Sequence, residues 1–178
     1  MGINQATEQL RDRQTVTTGG EPIDQLPAGV TFRDVPTHVD DRGTVCELFD
    51  ERWDWHPDPL VFSYMFTIRP GRIKGWGMHK LHEDRYFVIS GDMEVVLYDA
   101  REDSPTEGLV ASVVLSDTRR RLMNIPTGIW HANRNLGHTD LVVVNFPTTP
   151  YLHENPDKYR LPLDTDQIPY EFEDRAGW

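Results

Sequence analysis

Two stretches of this chain hold histidines at fixed distances from glycines. The first runs Gly71-x5-Gly77-x-His79-x4-Asp84-x6-Gly91, and the second runs Pro126-x-Gly128-x2-His131-x3-Asn135. They lie about 35 residues apart. Around them the chain breaks into short runs rich in apolar, aromatic and β-branched residues, each ended by turn formers. The runs are Val30–Val35, Gly43–Phe49, Leu60–Ile68, Trp76–Lys80, Tyr86–Ser90, Met93–Tyr98, Val110–Leu115, Arg121–Ile125, Ile129–Asn133 and Leu141–Phe146. Gly91-Asp92 is a hairpin signal between two of them. Strands this short at this spacing predict an all-β barrel or sandwich rather than βαβ units.

Composition narrows the function. A chain of 178 residues is expected to form one domain, and its 13 Gly and 13 Pro suit an all-β fold. Residues 1–27 read as a flexible N-terminal arm with a short helix near Gln5–Arg13, and 28–178 as a single domain. From about 147 the chain turns Pro- and charge-rich and is expected to wrap the barrel mouth with little regular structure. The formal net charge of −11 argues against nucleic acid as partner. An anionic small ligand stays open if basic residues converge locally. Cys46 is the only cysteine, which points to a reducing cytoplasm. No apolar run approaches about 18 residues, so no membrane partner is expected.

The two histidine stretches resemble the paired signatures of the cupin barrels, G-x5-H-x-H-x4-E-x6-G and P-x-G-x2-H-x3-N. Gly77 stands in place of the first histidine and Asp84 in place of the glutamate. The resemblance implies a cupin-type β-barrel or jelly roll, with His79, Asp84 and His131 on strands lining one pocket. Side chains alternate along a strand. If Asp84 points inward, so do Tyr86 and Val88, while Arg85 and Phe87 point outward. Asn133 shares a face with His131, and Asn145 shares one with Leu141 and Val143.

Such a pocket has two chemical readings. In the first, a neutral imidazole removes a proton next to a carbonyl, a carboxylate stabilises the imidazolium, and a tyrosine returns the proton; no cofactor is needed. In the second, His79, Asp84 and His131 hold one divalent metal, Fe, Mn, Ni or Zn. His82 would be a fourth ligand, although its odd spacing from His79 makes it read first as a surface turn residue. His38, His56, His138 and His153 read as solvated loop residues.

Further stretches resemble the dTDP-4-dehydrorhamnose 3,5-epimerase family of nucleotide-sugar cupins. They are Asp41-Arg42-Gly43-x3-Glu47-x-Phe49, Gly77-Met78-His79, Asp99-Ala100-Arg101-x2-Ser104-Pro105-Thr106-x-Gly108 and Ile125-Pro126-x-Gly128-x2-His131. This resemblance implies a homodimer with exchanged strands, a nucleoside-diphosphate sugar as ligand, and proton abstraction beside a 4-keto group. It makes His79 the base and His131 a second pocket histidine. It sends Arg42 and Glu47 toward the nucleotide, and it puts the carboxylate partner of the base in the C-terminal segment, at Asp164 or Asp166. The chain departs from the pattern at three points. An arginine that contacts phosphate is Trp76 here, leaving Arg72 or Lys74 to substitute. The catalytic lysine is Asp84. The acid tyrosine falls near Asn145, leaving Tyr86 or Tyr151 to stand in. His79-Lys80-x-His82-x-Asp84 also resembles the turn of the related 3,4-ketoisomerases. The expected activity is therefore an epimerase or ketoisomerase with a changed catalytic set. A metal-dependent cupin and a non-catalytic sugar-nucleotide binder are the alternatives.

Overall fold

The computed structural model describes residues 12–20 and 22–172. Most of the expected helix near Gln5–Arg13 lies outside the described residues. Twelve strands follow along the described chain: β1 (Thr31–Asp34), β2 (Thr37–Asp40), β3 (Gly43–Cys46), β4 (Tyr64–Ile68), β5 (Ile73–Met78), β6 (Asp84–Ser90), β7 (Asp92–Asp99), β8 (Val110–Ser116), β9 (Arg121–Ile125), β10 (Ile129–Asn135), β11 (Leu141–Asn145) and β12 (Tyr159–Arg160). They pair antiparallel into two five-stranded sheets, in the orders β1-β9-β6-β11-β4 and β12-β5-β10-β7-β8. β2 and β3 form a separate ribbon. The fold is the all-β barrel expected of the sequence.

The inner core lies between the sheets and draws on both: Tyr86, Val88, Met123 and Val143 face Val95, Leu97 and Ile129. Strand alternation sends Phe87 to the other face, where it meets Leu122 and Phe146 under the loop that carries Phe49, Trp53 and Trp55. Arg85 also points away from the barrel, as alternation predicts, yet it is fully buried. Its guanidinium donates to the carbonyls of Phe146 (2.6 Å), Asp58 (2.7 Å) and Pro59 (3.0 Å) and lies 4.9 Å over the Phe49 ring. A buried cation needs full hydrogen bonding, and backbone carbonyls supply it. Arg85 thus fastens the loop around residues 49–59 to β6 and β11.

The outer face of the second sheet is covered by the C-terminal segment. Trp76, Val96 and Ala132 pack against Ile168, with Leu161, Tyr170 and Phe172 alongside. Trp76 and Leu161 exchange backbone hydrogen bonds at 3.3 Å each. β12 pairs with β5, setting Tyr159 opposite Met78 and Arg160 opposite Gly77. The segment was expected to wrap as loop; the gain of a short strand comes from this unpaired edge of β5. Gly75 permits the neighbouring close approach, since a Cβ there would sit 2.3 Å from the Ala132 Cβ.

Several boundaries differ from the sequence reading, among them the end of β3 at Cys46 rather than Phe49. The chain at 60–63 stays outside β4, whose paired portion is only the length that β11 offers. The first ribbon strand, Thr37–Asp40, is fully exposed and so shows no hydrophobic alternation to detect. β5 begins at Ile73 rather than at Trp76, because its glycines mask the strand pattern.

Candidate active site

His79 lies just past the end of β5, Asp84 opens β6, and His131 sits on β10 opposite Gly77. A Cβ on Gly77 would be 3.7 Å from His131 Nε2. The position where the cupin pattern has its first histidine therefore faces the same cavity. That cavity measures about 420 Å³, and His79, Asp84, Tyr86 and His131 line it together with Tyr64 and Asn133.

Asp84 is the centre of the cluster. It is 1% exposed. Its Oδ2 lies 3.3 Å from His79 Nε2 and 3.4 Å from His131 Nε2, and it accepts from the Tyr86 hydroxyl at 3.0 Å. Its Oδ1 accepts from Asn145 Nδ2 at 2.6 Å, with His82 Nε2 3.7 Å away. Burial by itself would raise this carboxyl, but His79, His131 and Asn145 outweigh it and hold Asp84 ionised, well below the usual carboxylate range.

The three imidazoles share one arrangement. His79 Nδ1 faces the Asp157 carbonyl, His131 Nδ1 faces the Ile129 carbonyl at 3.2 Å, and His82 Nδ1 faces the Asp157 carboxylate at 2.9 Å. An oxygen acceptor at Nδ1 places the proton there and leaves Nε2 as a lone pair. All three Nε2 atoms then point at Asp84. Their basicities diverge. Burial lowers His79, but Asp84 and the Asp157 carbonyl reverse this and raise it. Burial dominates at His131, which is pushed down to about 4, and at His82, which is also lowered.

Tyrosines complete the wall. Burial and the Asp84 charge push Tyr86 well above its ordinary value. Tyr64 pairs with Asn145 across β4 and β11, accepts from Asn145 Nδ2 at 3.0 Å, and is raised to about 12 by burial and then by Asp84. Asn133 Oδ1 is buried with no hydrogen-bond partner.

The structure brings together His79, Asp84, Tyr86 and His131 as expected. It also draws in His82, correcting the surface-turn reading: the turn at 80–82 is folded back by Asp157, whose carboxylate accepts from the backbone of Lys80 (3.0 Å) and Leu81 (2.7 Å). His56 is likewise not solvated, since it pairs with Glu83 at 3.1 Å behind the site. Asn145 is spent on Asp84, Tyr64 and the Arg85 N–H rather than on the cavity. Lys74 lines the cavity; Arg72 does not. Tyr151 is exposed and meets the His153 ring edge-on. Asp164 and Asp166 line a separate groove of about 820 Å³ on the outer face. The residue that fixes the His79 ring is Asp157 instead, through its main-chain carbonyl. Arg42 and Glu47 are exposed on and beside the β2–β3 ribbon, away from the cavity of their own chain. Tyr64, Asp157, Lys158 and Arg160 went unread in the sequence. The KYR run after Asp157 was the available signal for the last two.

The family model described as the polysaccharide biosynthesis C-terminal domain matches residues 38–159. The chain is 34% identical over 136 residues to a probable low-salt glycan biosynthesis epimerase of Haloferax volcanii, covering 76% of this chain and 87% of the relative. It is 35% identical over 146 residues to a spore coat polysaccharide biosynthesis protein of Bacillus subtilis, covering 81% and 95%. Among solved structures it is similar to a dTDP sugar isomerase of Desulfovibrio desulfuricans, with 28% identity, a TM-score of 0.76, and coverage of 82% and 91%. No helix among the described residues is long and apolar enough to cross a membrane.

The buried histidines make stability depend on pH. His131 sits at about 4 in the folded chain against 6.5 for the free side chain. Between these values the unfolded chain takes up a proton that the folded one refuses, so stability falls as pH drops through that window. His79, raised, acts oppositely: its contribution is full below its unfolded value and is lost as pH rises through its folded one. In chelator-treated protein, His131→Gln is expected to remove an acid-side loss on the order of 3 kcal/mol. Urea titrations at neutral and mildly acid pH measure it. An equal acid-side loss in variant and wild type would refute the assignment.

Proposed function

Because this chain belongs to the polysaccharide biosynthesis C-terminal domain family and is a nucleotide-sugar epimerase/isomerase cupin, we propose that it acts on a 4-keto nucleoside-diphosphate deoxysugar and that His79 removes the proton beside the carbonyl. The observation that carries this reading is the basic His79 held against a buried, ionised Asp84 at the wall of a cavity. The Asp157 carbonyl keeps the His79 proton on Nδ1, so Nε2 is the atom that accepts. Proton uptake turns the His79–Asp84 contact into an ion pair and so stabilises the charge that develops on the ring. Tyr64 is the donor. Its oxygen accepts from Asn145, which leaves its own proton free for the cavity, and it stays protonated at any physiological pH. The unsatisfied Asn133 Oδ1 suits a sugar hydroxyl.

His79→Asn is expected to lower turnover by about 10²–10⁴-fold, and Tyr64→Phe to lower it less while substrate affinity holds. The readout is deuterium incorporation from D2O into a 4-keto nucleotide sugar, followed by mass spectrometry. Full exchange in His79→Asn would end this reading.

A second reading rests on the convergent lone pairs. One ligand atom each from His79, His82 and Asp84 lie within 4.8 Å of one another, and His131 Nε2 points at the same carboxylate. Imidazole nitrogens and one carboxylate fit Zn, Fe, Mn or Ni. Bound there, such an ion would supply Lewis-acid polarisation of a carbonyl. Elemental analysis of untagged protein is expected to find about one metal per chain if this holds, with loss of it in Asp84→Asn. Metal-free protein that takes none up after loading rejects it.

We also place the chain in a homodimer. The β2–β3 ribbon joins neither five-stranded sheet, and Val39 and Val45 on it are 75% and 66% exposed. Arg42 and Glu47 would reach the cavity of a second copy. Mixing inactive Arg42→Ala with inactive His79→Asn chains should then restore roughly a quarter of wild-type activity through hybrid dimers. No recovery on mixing, or a monomer by light scattering, would exclude this arrangement.

A further inference from the structure

We infer that the diphosphate of the ligand is held by an anion subsite that this chain builds on its C-terminal strap, from Lys158 and Arg160 of β12 and its approach, together with Lys74 of β5. The inference rests on the nucleoside-diphosphate reading above and names the residues that would recognise that group.

The chain carries a net charge of −11, yet three cations line the mouth of one small cavity. None of the three makes an ion pair among the described residues. Strand alternation explains their convergence. Lys158 and Arg160 fall on one face, and Tyr159 falls on the other, where its ring takes the Lys80 ammonium at 4.6 Å. The pairing of Arg160 with Gly77 and of Tyr159 with Met78 fixes this face toward the cavity. Lys74 meets it from the neighbouring strand. Partial burial lowers Lys158, and repulsion from Arg160 and Lys74 lowers it further. A polyanion bound between them would relieve that repulsion.

Trp76 ties this to the sequence. The resemblance puts a phosphate-contacting arginine at this position. Here Trp76 is 1% exposed and packs against Tyr170 and Phe172, with centroids at 6.2 and 5.6 Å. It also exchanges backbone bonds with Leu161, the residue after Arg160. The position no longer offers a charge to the ligand. It anchors the segment that carries two replacement charges. The cavity, at about 420 Å³, is toward the small end for a ligand site, so a sugar placed at His79 leaves its diphosphate at the mouth, where these cations stand.

Calorimetric titration with dTDP, UDP and inorganic pyrophosphate tests the subsite without any turnover. Lys158→Gln, Arg160→Gln and Lys74→Gln are each expected to weaken binding of nucleoside diphosphate and of pyrophosphate by about tenfold and to flatten its salt dependence. Arg119→Gln, which removes an exposed charge paired with Asp34 elsewhere, should change neither. Unaltered affinity in the three variants, an equal loss in Arg119→Gln, or a wild type that binds none of the probes overturns the subsite. Deuterium exchange separates this from the epimerase reading. Protein that binds dTDP through these cations yet never exchanges keeps the subsite and loses the reaction; exchange with unaltered diphosphate affinity in the variants does the reverse.

Discussion

A buried negative charge at Asp84 sets the terms for the rest of the site. An ionised carboxylate that is 1% exposed is costly unless its lone pairs are met. Here Asn145 and Tyr86 donate to it, and His79, whose basicity is raised, donates to the same oxygen as Tyr86 once it is protonated, with His131 beside that oxygen. These partners come from β6, β10, β11 and the residue just past β5, so both sheets are tied to one carboxylate. The cost is met by geometry that also leaves imidazole lone pairs aimed at one point. Structure and chemistry at this site therefore share a single cause.

The C-terminal segment is the second dependency. Asp157 serves two histidines at once, His79 by its carbonyl and His82 by its carboxylate, while its carboxylate also holds the Lys80–Leu81 backbone. It is kept in place by β12 on β5 and by the apolar seal of Trp76 with Ile168, Tyr170 and Phe172. Packing on the outer face of the sheet thus determines which nitrogen of His79 carries a proton on the inner face.

Much of this was legible in the sequence, for definite reasons. Turn formers and period-2 alternation marked most strands, and they put Tyr86 inside and Phe87 outside as found. The resemblance to the paired cupin signatures sufficed to gather His79, Asp84 and His131. What escaped depends on contacts across long separations. Asp157 is 78 residues from His79, and Tyr64 is 81 from Asn145. Neither pairing leaves a local pattern. The same holds for β12, two residues long, which exists only because β5 has a free edge. Asn145 shows the limit most clearly. A tyrosine expected at that position is absent, but the strand beside it places Tyr64 directly opposite, and only the register of β4 on β11 reveals it.

The replacement of an expected lysine by Asp84 changes the electrostatic problem rather than removing a function. A lysine would stabilise an enolate directly; a carboxylate would repel one. Asp84 can help only by favouring positive charge next to it. With His79 neutral, the cluster carries an uncompensated anion. On the proposed mechanism, His79 taking a proton makes the pair neutral overall, so the step that would create an enolate would also cancel the charge beside His79. A divalent ion among the same nitrogens would meet the same need. On either proposal, the groups that would face an enolate and a diphosphate come from elsewhere. The groups proposed for this are the neutral Tyr64 hydroxyl, as a hydrogen-bond donor, and the strap cations Lys158 and Arg160, which make no ion pair among the described residues. Lys158 already feels Asp84, His79 and His131 electrostatically, and this couples the strap to the Asp84 cluster rather than leaving it a cover over it.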